Sequence, residues 1–153
     1  MPKNRTILIA DDSPDDLFLL RRSFQRAGVL NPVQEVRSGK EAIAYLKGTG
    51  PYADREKFPF PEILLLDLNM PEGDGFEVLQ WIRDKLPVAD LLIIVLSQLD
   101  ELKSINRAYS LGANSFLAKP GDEQELHNLI KVFGDYWLVR NKPPKSGERK
   151  PFR

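Results

Sequence analysis

Two uninterrupted apolar runs, Ile63-Leu64-Leu65-Leu66 and Leu91-Leu92-Ile93-Ile94-Val95-Leu96, constrain this chain more than any other feature. Neither alternates with polar residues, so neither suits a sheet with one wet face. Both read as strands covered on both sides, as in parallel sheets flanked by helices. With Thr6–Ala10, Val33–Arg37 and Asn114–Ala118 they make five short strand-like runs, the third beginning at Glu62. Amphipathic segments separate them. Leu17, Leu20, Phe24 and Ala27 form one stripe that stops at Gly28, and Ala42, Ile43 and Leu46 form a second that stops at Gly48. Phe76, Leu79, Ile82 and Leu86 precede Pro87, and Leu102, Ile105 and Tyr109 precede Gly112. Leu126, Leu129, Ile130, Phe133 and Trp137 make the last stripe. This is the 3.6-residue period of half-buried helices, closed by residues that end helices.

The helix starts agree. Ser13-Pro14 offers a cap followed by proline at the first helical position. Ser38…Glu41, Asp74…Glu77 and Asp122…Glu125 have the spacing of a capping box. Five βα units with right-handed crossovers predict a single α/β domain with a doubly wound, five-stranded parallel sheet in the order 2-1-3-4-5. The 153 residues suffice for a core without staples.

Composition narrows the function classes. There is no cysteine, so disulfides, thiolate metal sites and thiol catalysis are excluded. No apolar run is long enough to cross a bilayer and no cleavage pattern follows the N-terminus, so a cytoplasmic protein is expected. The 22 basic and 22 acidic residues balance, but unevenly along the chain. Residues 140–153 carry six basic residues and one acid, which reads as a basic, disordered tail, while residues 1–139 carry 16 basic and 21 acidic and read as the folded unit. An acidic body is a poor match for nucleic acid. Residues 48–61 form a long connection with three prolines and the aromatics Tyr52, Phe58 and Phe60, suited to a packed surface loop or to partner recognition.

In a sheet of this kind, ligands bind beyond the carboxyl ends of the strands. Asp11 and Asp12 follow the first strand, Asp67 the third, Ser97 the fourth and Lys119 the fifth. Singly, each reads as a cap, a turn or a solvated charge; their joint placement on one edge does not. Converging carboxylates repel and raise one another's pKa, a conflict that a hard divalent cation removes, and Mg²⁺ suits a few carboxylates with retained waters. A lysine and a hydroxyl beside them fit the stabilisation of a phosphoryl group.

Asp11-Asp12, Leu66-Asp67-Leu68-Asn69-Met70-Pro71…Gly75, Leu96-Ser97 and Phe116-Leu117-Ala118-Lys119-Pro120 together resemble the receiver domain of two-component response regulators, over about residues 5–137. The resemblance implies a flavodoxin-like, CheY-like fold standing alone, with no output domain after the fifth helix. It implies that Asp67 accepts a phosphoryl group from a histidine kinase. Asp11, Asp12, Asp67 and the backbone carbonyl of Asn69 would hold Mg²⁺, Lys119 would pair with the phosphoryl group, and Ser97 and Phe116 would switch. The output surface would be the fourth helix, fifth strand and fifth helix. The long loop and Tyr136-Trp137 are similar to small regulators that partner phytochrome-type kinases. Receivers of this type often carry a cis bond before the proline of the Lys-Pro pair.

Gln98 departs from the pattern, since a small residue usually follows the switch hydroxyl. It is expected to alter the lifetime of the acyl phosphate, and it leaves open a pseudo-receiver that acts as a scaffold without phosphorylation. Val132, Phe133, Tyr136, Trp137 and Val139 suggest a homodimer interface, against the plainer reading that they finish the core. The single histidine, His127, is expected to be a solvated helix residue. A calcium loop opening at Asp67 fails because its fifth and twelfth positions are Pro71 and Val78. An aspartyl phosphatase would carry an acid where Asn69 stands.

Overall fold

The computed structural model describes residues 6–86, 91–98 and 101–140. Its elements are β1 (Ile7–Ala10), α1 (Pro14–Arg26), β2 (Val33–Val36), α2 (Gly39–Lys47), β3 (Ile63–Leu66), α3 (Gly75–Lys85), β4 (Leu92–Ser97), α4 (Leu102–Ser110), β5 (Ser115–Ala118) and α5 (Glu123–Phe133). A short 3-10 turn, Gly50–Tyr52, follows α2, and α5 continues as a π-helical stretch, Gly134–Arg140. All pairings are parallel and the order is β2-β1-β3-β4-β5, as the sequence predicts. Pro87 and nearly all of the basic tail lie outside the described residues. Leu86, just before Pro87, is extended, the conformation a following proline imposes.

The sheet divides its side chains strictly by period two. Leu8, Ala10, Leu64, Leu66, Ile93 and Val95 face the layer of α2, α3 and α4. Ile7, Ile9, Ile63, Leu65, Ile94 and Leu96 face α1 and α5. Two apolar cores therefore sandwich three central strands, buried throughout except at Leu92. The capping residues do what their spacing implies: Ser13, Ser38, Asp74 and Asp122 each accept a first-turn backbone N–H. The reciprocal half of the capping box slips by one at α2, where the Glu41 carboxylate accepts from the N–H of Arg37.

The long loop is packed, and one residue fastens it. Gly48 takes the left-handed conformation that ends α2 (φ 71°). Arg55 then folds back and donates to the carbonyls of Tyr45 (2.8 Å), Leu46 (2.8 Å) and Phe58 (3.0 Å). Its guanidinium also lies over the rings of Tyr45 and Phe60. Tyr45, Tyr52 and Phe58 form a mutual aromatic cluster, and the Tyr45 hydroxyl donates to the carbonyl of Pro59 at 2.8 Å.

Four expectations are corrected. The stripe of α4 does not enter the core: Leu102 is 73% exposed, Tyr109 is 47% exposed, Ile105 is half-buried, and only Ala108 is buried. Period alone cannot say whether a neighbour covers a helix face. Phe133, expected at an interface, is buried edge-on against Phe24, and Trp137 is half-buried against the same core. Val132 (66% exposed) and Tyr136 (55% exposed) remain outward, while the side chain of Val139 lies outside the described residues. His127 is buried rather than solvated; its Nδ1 shares a hydrogen bond with Ser23 Oγ on α1, and its Nε2 lies 3.4 Å from the Glu123 carboxylate. No cis peptide bond occurs among the described residues, so Lys119–Pro120 is trans.

Candidate functional site

The site is built by letting the parallel ladder run one residue past each strand. The N–H of Asp11 donates to Val36 (3.0 Å), that of Asp67 to Ala10 (2.9 Å), and that of Lys119 to Ser97 (2.9 Å). These bonds fix three side chains at one edge of the sheet. Behind Asp67 the chain turns tightly into α3, and Gly75 is required there. A Cβ on it would stand 2.6 Å from the carbonyl oxygen of Asp67.

The polar side chains then converge on Asp67. The Ser97 hydroxyl donates to Oδ1 at 2.9 Å and the N–H of Asn69 donates to the same oxygen at 3.2 Å. The Lys119 ammonium approaches Oδ2 at 3.4 Å, and it also donates to Asp11 Oδ2 (2.7 Å) and Asp16 Oδ2 (3.0 Å). The N–H of Ser13 donates to Asp11 Oδ1 at 3.0 Å. Asp11, Asp67 and Ser97 are buried, whereas Asp12, Asn69 and Gln98 are exposed at the mouth. Together with Ser13, Asp16 and Lys119 they line an open cleft of about 260 Å³.

Electrostatics follow from this crowding. Burial pushes the Asp11 carboxyl above its usual range, against the hydrogen bonds from Lys119 and Ser13, and the neighbouring charge of Asp67 adds to the rise. Burial pulls the Lys119 ammonium down. The bond and charge of Asp11, the charge of Asp67 and the bond to Asp16 outweigh it, so the lysine stays protonated well beyond its ordinary range. Three carboxylates, Asp11, Asp16 and Asp67, thus share one ammonium. One oxygen each from Asp11, Asp12 and Asp67 lies within 4.8 Å of the others, a hard-oxygen donor set compact enough for a single divalent cation. The chemistry available is that of a carboxylate nucleophile whose two oxygens each have a donor, with positive charge in place for an incoming anion.

The residues singled out in the sequence at this edge, Asp11, Asp12, Asp67, Asn69, Ser97, Gln98 and Lys119, share one cleft. Phe116 does not line it; it sits half-buried on β5, and its N–H donates to the Tyr109 hydroxyl at 3.0 Å. Asp16 was not anticipated. Its only sequence signal is an acid one helical turn after Asp12, which reads equally as a first-turn acid favourable to the helix dipole.

Comparison with known proteins agrees with this geometry. Residues 7–131 match the family model of the response regulator receiver domain. Response regulator RPA3017, in red light signaling of R. palustris, is similar at 34% identity and a TM-score of 0.85, covering 93% of this chain and 99% of that one. The phosphorylated cyanobacterial phytochrome response regulator RcpA is similar at 30% identity and a TM-score of 0.83, covering 94% and 100%. Response regulator Rcp1 of Synechocystis sp. is 28% identical over 134 residues, 88% of this chain and 89% of its own length. The Mn²⁺-bound form of Rcp1 superposes with a TM-score of 0.80.

Proposed function

Because the chain belongs to the response regulator receiver family, and so to two-component phosphorelay signalling, we propose that Asp67 is its phosphoacceptor. A carboxylate oxygen of Asp67 attacks the phosphorus of a kinase phosphohistidine. The O–P bond of an acyl phosphate forms as the P–N bond breaks and the imidazole leaves with the electron pair. One observation carries this reading: the two oxygens of Asp67 have separate donors, Ser97 on Oδ1 and Lys119 on Oδ2. An oxygen that attacks is thereby held in place, and charge arriving on the phosphoryl oxygens meets an ammonium already there.

Asp11, Asp12 and Asp67, with the carbonyl of Asn69, would hold the cation, and hard oxygen donors with room for waters favour Mg²⁺. That Rcp1 has a Mn²⁺-bound form supports a divalent ion in this chain. When bound, such an ion offsets carboxylate repulsion and the charge of the phosphoryl oxygens. Ser97 and Phe116 serve as the switch, and Gln98, at the mouth of the cleft, sets the lifetime of the modified state. A Gln98→Ala variant that loses its phosphoryl group at the parental rate removes that role.

The partner is a sensor histidine kinase of phytochrome type, a reading supported by the similarity to RcpA, a phytochrome response regulator, and to RPA3017, a response regulator in red light signaling. Residues 1–139 act as one receiver unit in the cytoplasm. No helix among the described residues is long and apolar enough to cross a membrane. The outward side chains of α4, β5, α5 and its π-helical continuation, among them Leu102, Tyr109, Val132 and Tyr136, form the surface for a homodimer. Light scattering that finds a monomer at high concentration, with and without phosphorylation, removes the dimer.

The phosphoacceptor assignment is tested by incubation with acetyl phosphate and Mg²⁺, followed by mapping of any base- and hydroxylamine-labile label. A single site at Asp67 is expected, absent in Asp67→Asn and without a divalent ion. A label that survives in Asp67→Asn overturns the assignment. A chain that takes no label at all is a scaffold of receiver shape.

A further inference from the structure

Lys119 has three protons to donate, and three carboxylates surround it. Asp11, at 2.7 Å, is 3% exposed and makes the short, buried contact that anchors the ammonium. Asp67 is the farthest, at 3.4 Å. Between them in distance, at 3.0 Å, stands Asp16, reached from the first turn of α1 and 34% exposed. Asp16 is outside the compact set of oxygens that a single cation could bridge, which comprises Asp11, Asp12 and Asp67. Its carboxylate therefore acts on the ammonium and not on the cation.

We infer that Asp16 is a positioning residue that competes with the phosphoacceptor for Lys119, holding the ammonium back from Asp67 and slowing phosphoryl uptake. The inference rests on Asp67 being the phosphoacceptor. Asp11 keeps Lys119 at the site whether or not Asp16 is charged, so loss of the Asp16 charge does not release the lysine; it lets the ammonium shift toward Asp67. Two consequences of opposite sign follow. The site becomes less negative and Lys119 comes closer to Asp67, so a divalent cation binds more weakly. An anionic phosphoryl donor, in contrast, meets a less repulsive cleft and a less occupied ammonium, so it reacts faster. Because Asp16 is partly solvated, each effect is modest, about threefold.

The experiment uses the full chain with the Asp16→Asn and Asp16→Glu variants. Calorimetric titration with Mg²⁺ alone is expected to give about threefold weaker binding for Asp16→Asn, and labelling by acetyl phosphate at saturating Mg²⁺ about threefold faster uptake. Asp16→Glu, which keeps the charge, returns both toward the parent. A purely structural role for Asp16 would weaken both together, and that result, or no change in either, overturns the inference. A parent chain that takes no label sinks the phosphoacceptor assignment and this inference with it. A labelled parent whose Asp16→Asn variant is no faster sinks only the role of Asp16.

Discussion

The Ser97 hydroxyl, at the end of β4, is fully buried and donates to Asp67 Oδ1 at 2.9 Å across the neighbouring strand. The same oxygen also accepts from the N–H of Asn69, so it keeps a partner when the hydroxyl is removed. Ser97→Ala is therefore expected to leave Asp67 open to labelling, at a rate lowered by about tenfold or more, the worth of one hydrogen bond to a charged group. The amide resonances of Phe116 and of the residues after β4, which should move on labelling in the parent, are expected to stay in place. Parental shifts in the variant would show that the hydroxyl does not transmit the change.

Asp12 separates cation binding from the lysine pairing. It is exposed, whereas Asp11 carries the short ion pair with Lys119. Asp12→Ala is expected to shift the stability of the metal-free protein by no more than about 0.5 kcal/mol, as at an ordinary surface position. In the parent, Mg²⁺ at ten times its Kd should add about 1.4 kcal/mol, and this increment should vanish in the variant. Thermal unfolding with and without Mg²⁺ reads both quantities; an undiminished increment would remove Asp12 from the site.

Arg55 closes the loop after α2 through three backbone carbonyls and two aromatic faces. Arg55→Ala should cost about 2–3 kcal/mol in urea unfolding, because charged hydrogen bonds to partly buried carbonyls are lost together. Arg55→Lys should recover less than half, since a compact ammonium lacks the planar fork that here serves three carbonyls from two nitrogens. Full recovery with lysine would mean that charge alone holds the loop.

Two buried groups set an alkaline limit. Burial lifts the Tyr45 hydroxyl to about 12, with Arg55 offsetting part of the rise and Tyr52 adding to it. Lys119 is likewise held above its ordinary value. For both, the folded chain keeps the proton more tightly than the unfolded one. Their stabilisation is complete below pH 10 and is lost as pH rises, for Tyr45 between about 10 and 12. Tm should fall across that window. In Tyr45→Phe it should start lower, by about 1 kcal/mol for one lost hydrogen bond, and fall less steeply. Equal slopes would remove Tyr45 from the alkaline transition.

The sheet and the edge bearing the site were legible because their signals are local. The apolar runs of β3 and β4 admit few alternatives, and Asp67, Ser97 and Lys119 mark strand ends in a topology that brings strand ends together. What escaped depends on partners distant in sequence. His127 reads as a solvated polar residue until Ser23, 104 positions earlier, is seen to meet it. Asp16 reads as a helix-start acid until Lys119 arrives from β5. Arg55 leaves no pattern, because its partners are main-chain carbonyls that any sequence has. On α5 and its π-helical continuation, Val132 and Tyr136 differ from Phe133 and Trp137 only by which neighbour covers them, and hydrophobicity does not record that.

The two sides of the sheet consequently differ in stiffness. Leu17, Leu20 and Phe24 interlock with Leu126, Ile130 and Phe133, so α1 and α5 yield only when the whole molecule does. Through Ala108 alone, α4 sends one fully covered side chain inward; its outer ties include Arg107 stacked 4.1 Å from the centre of the Phe76 ring, Arg83 reaching the carbonyl of Ser110, and the Tyr109 hydroxyl that accepts from the N–H of Phe116. Displacing a segment so lightly ballasted takes far less work than opening a core. Amide exchange should accordingly be fastest along this margin, and a small input of energy at the cleft can be spent there as movement.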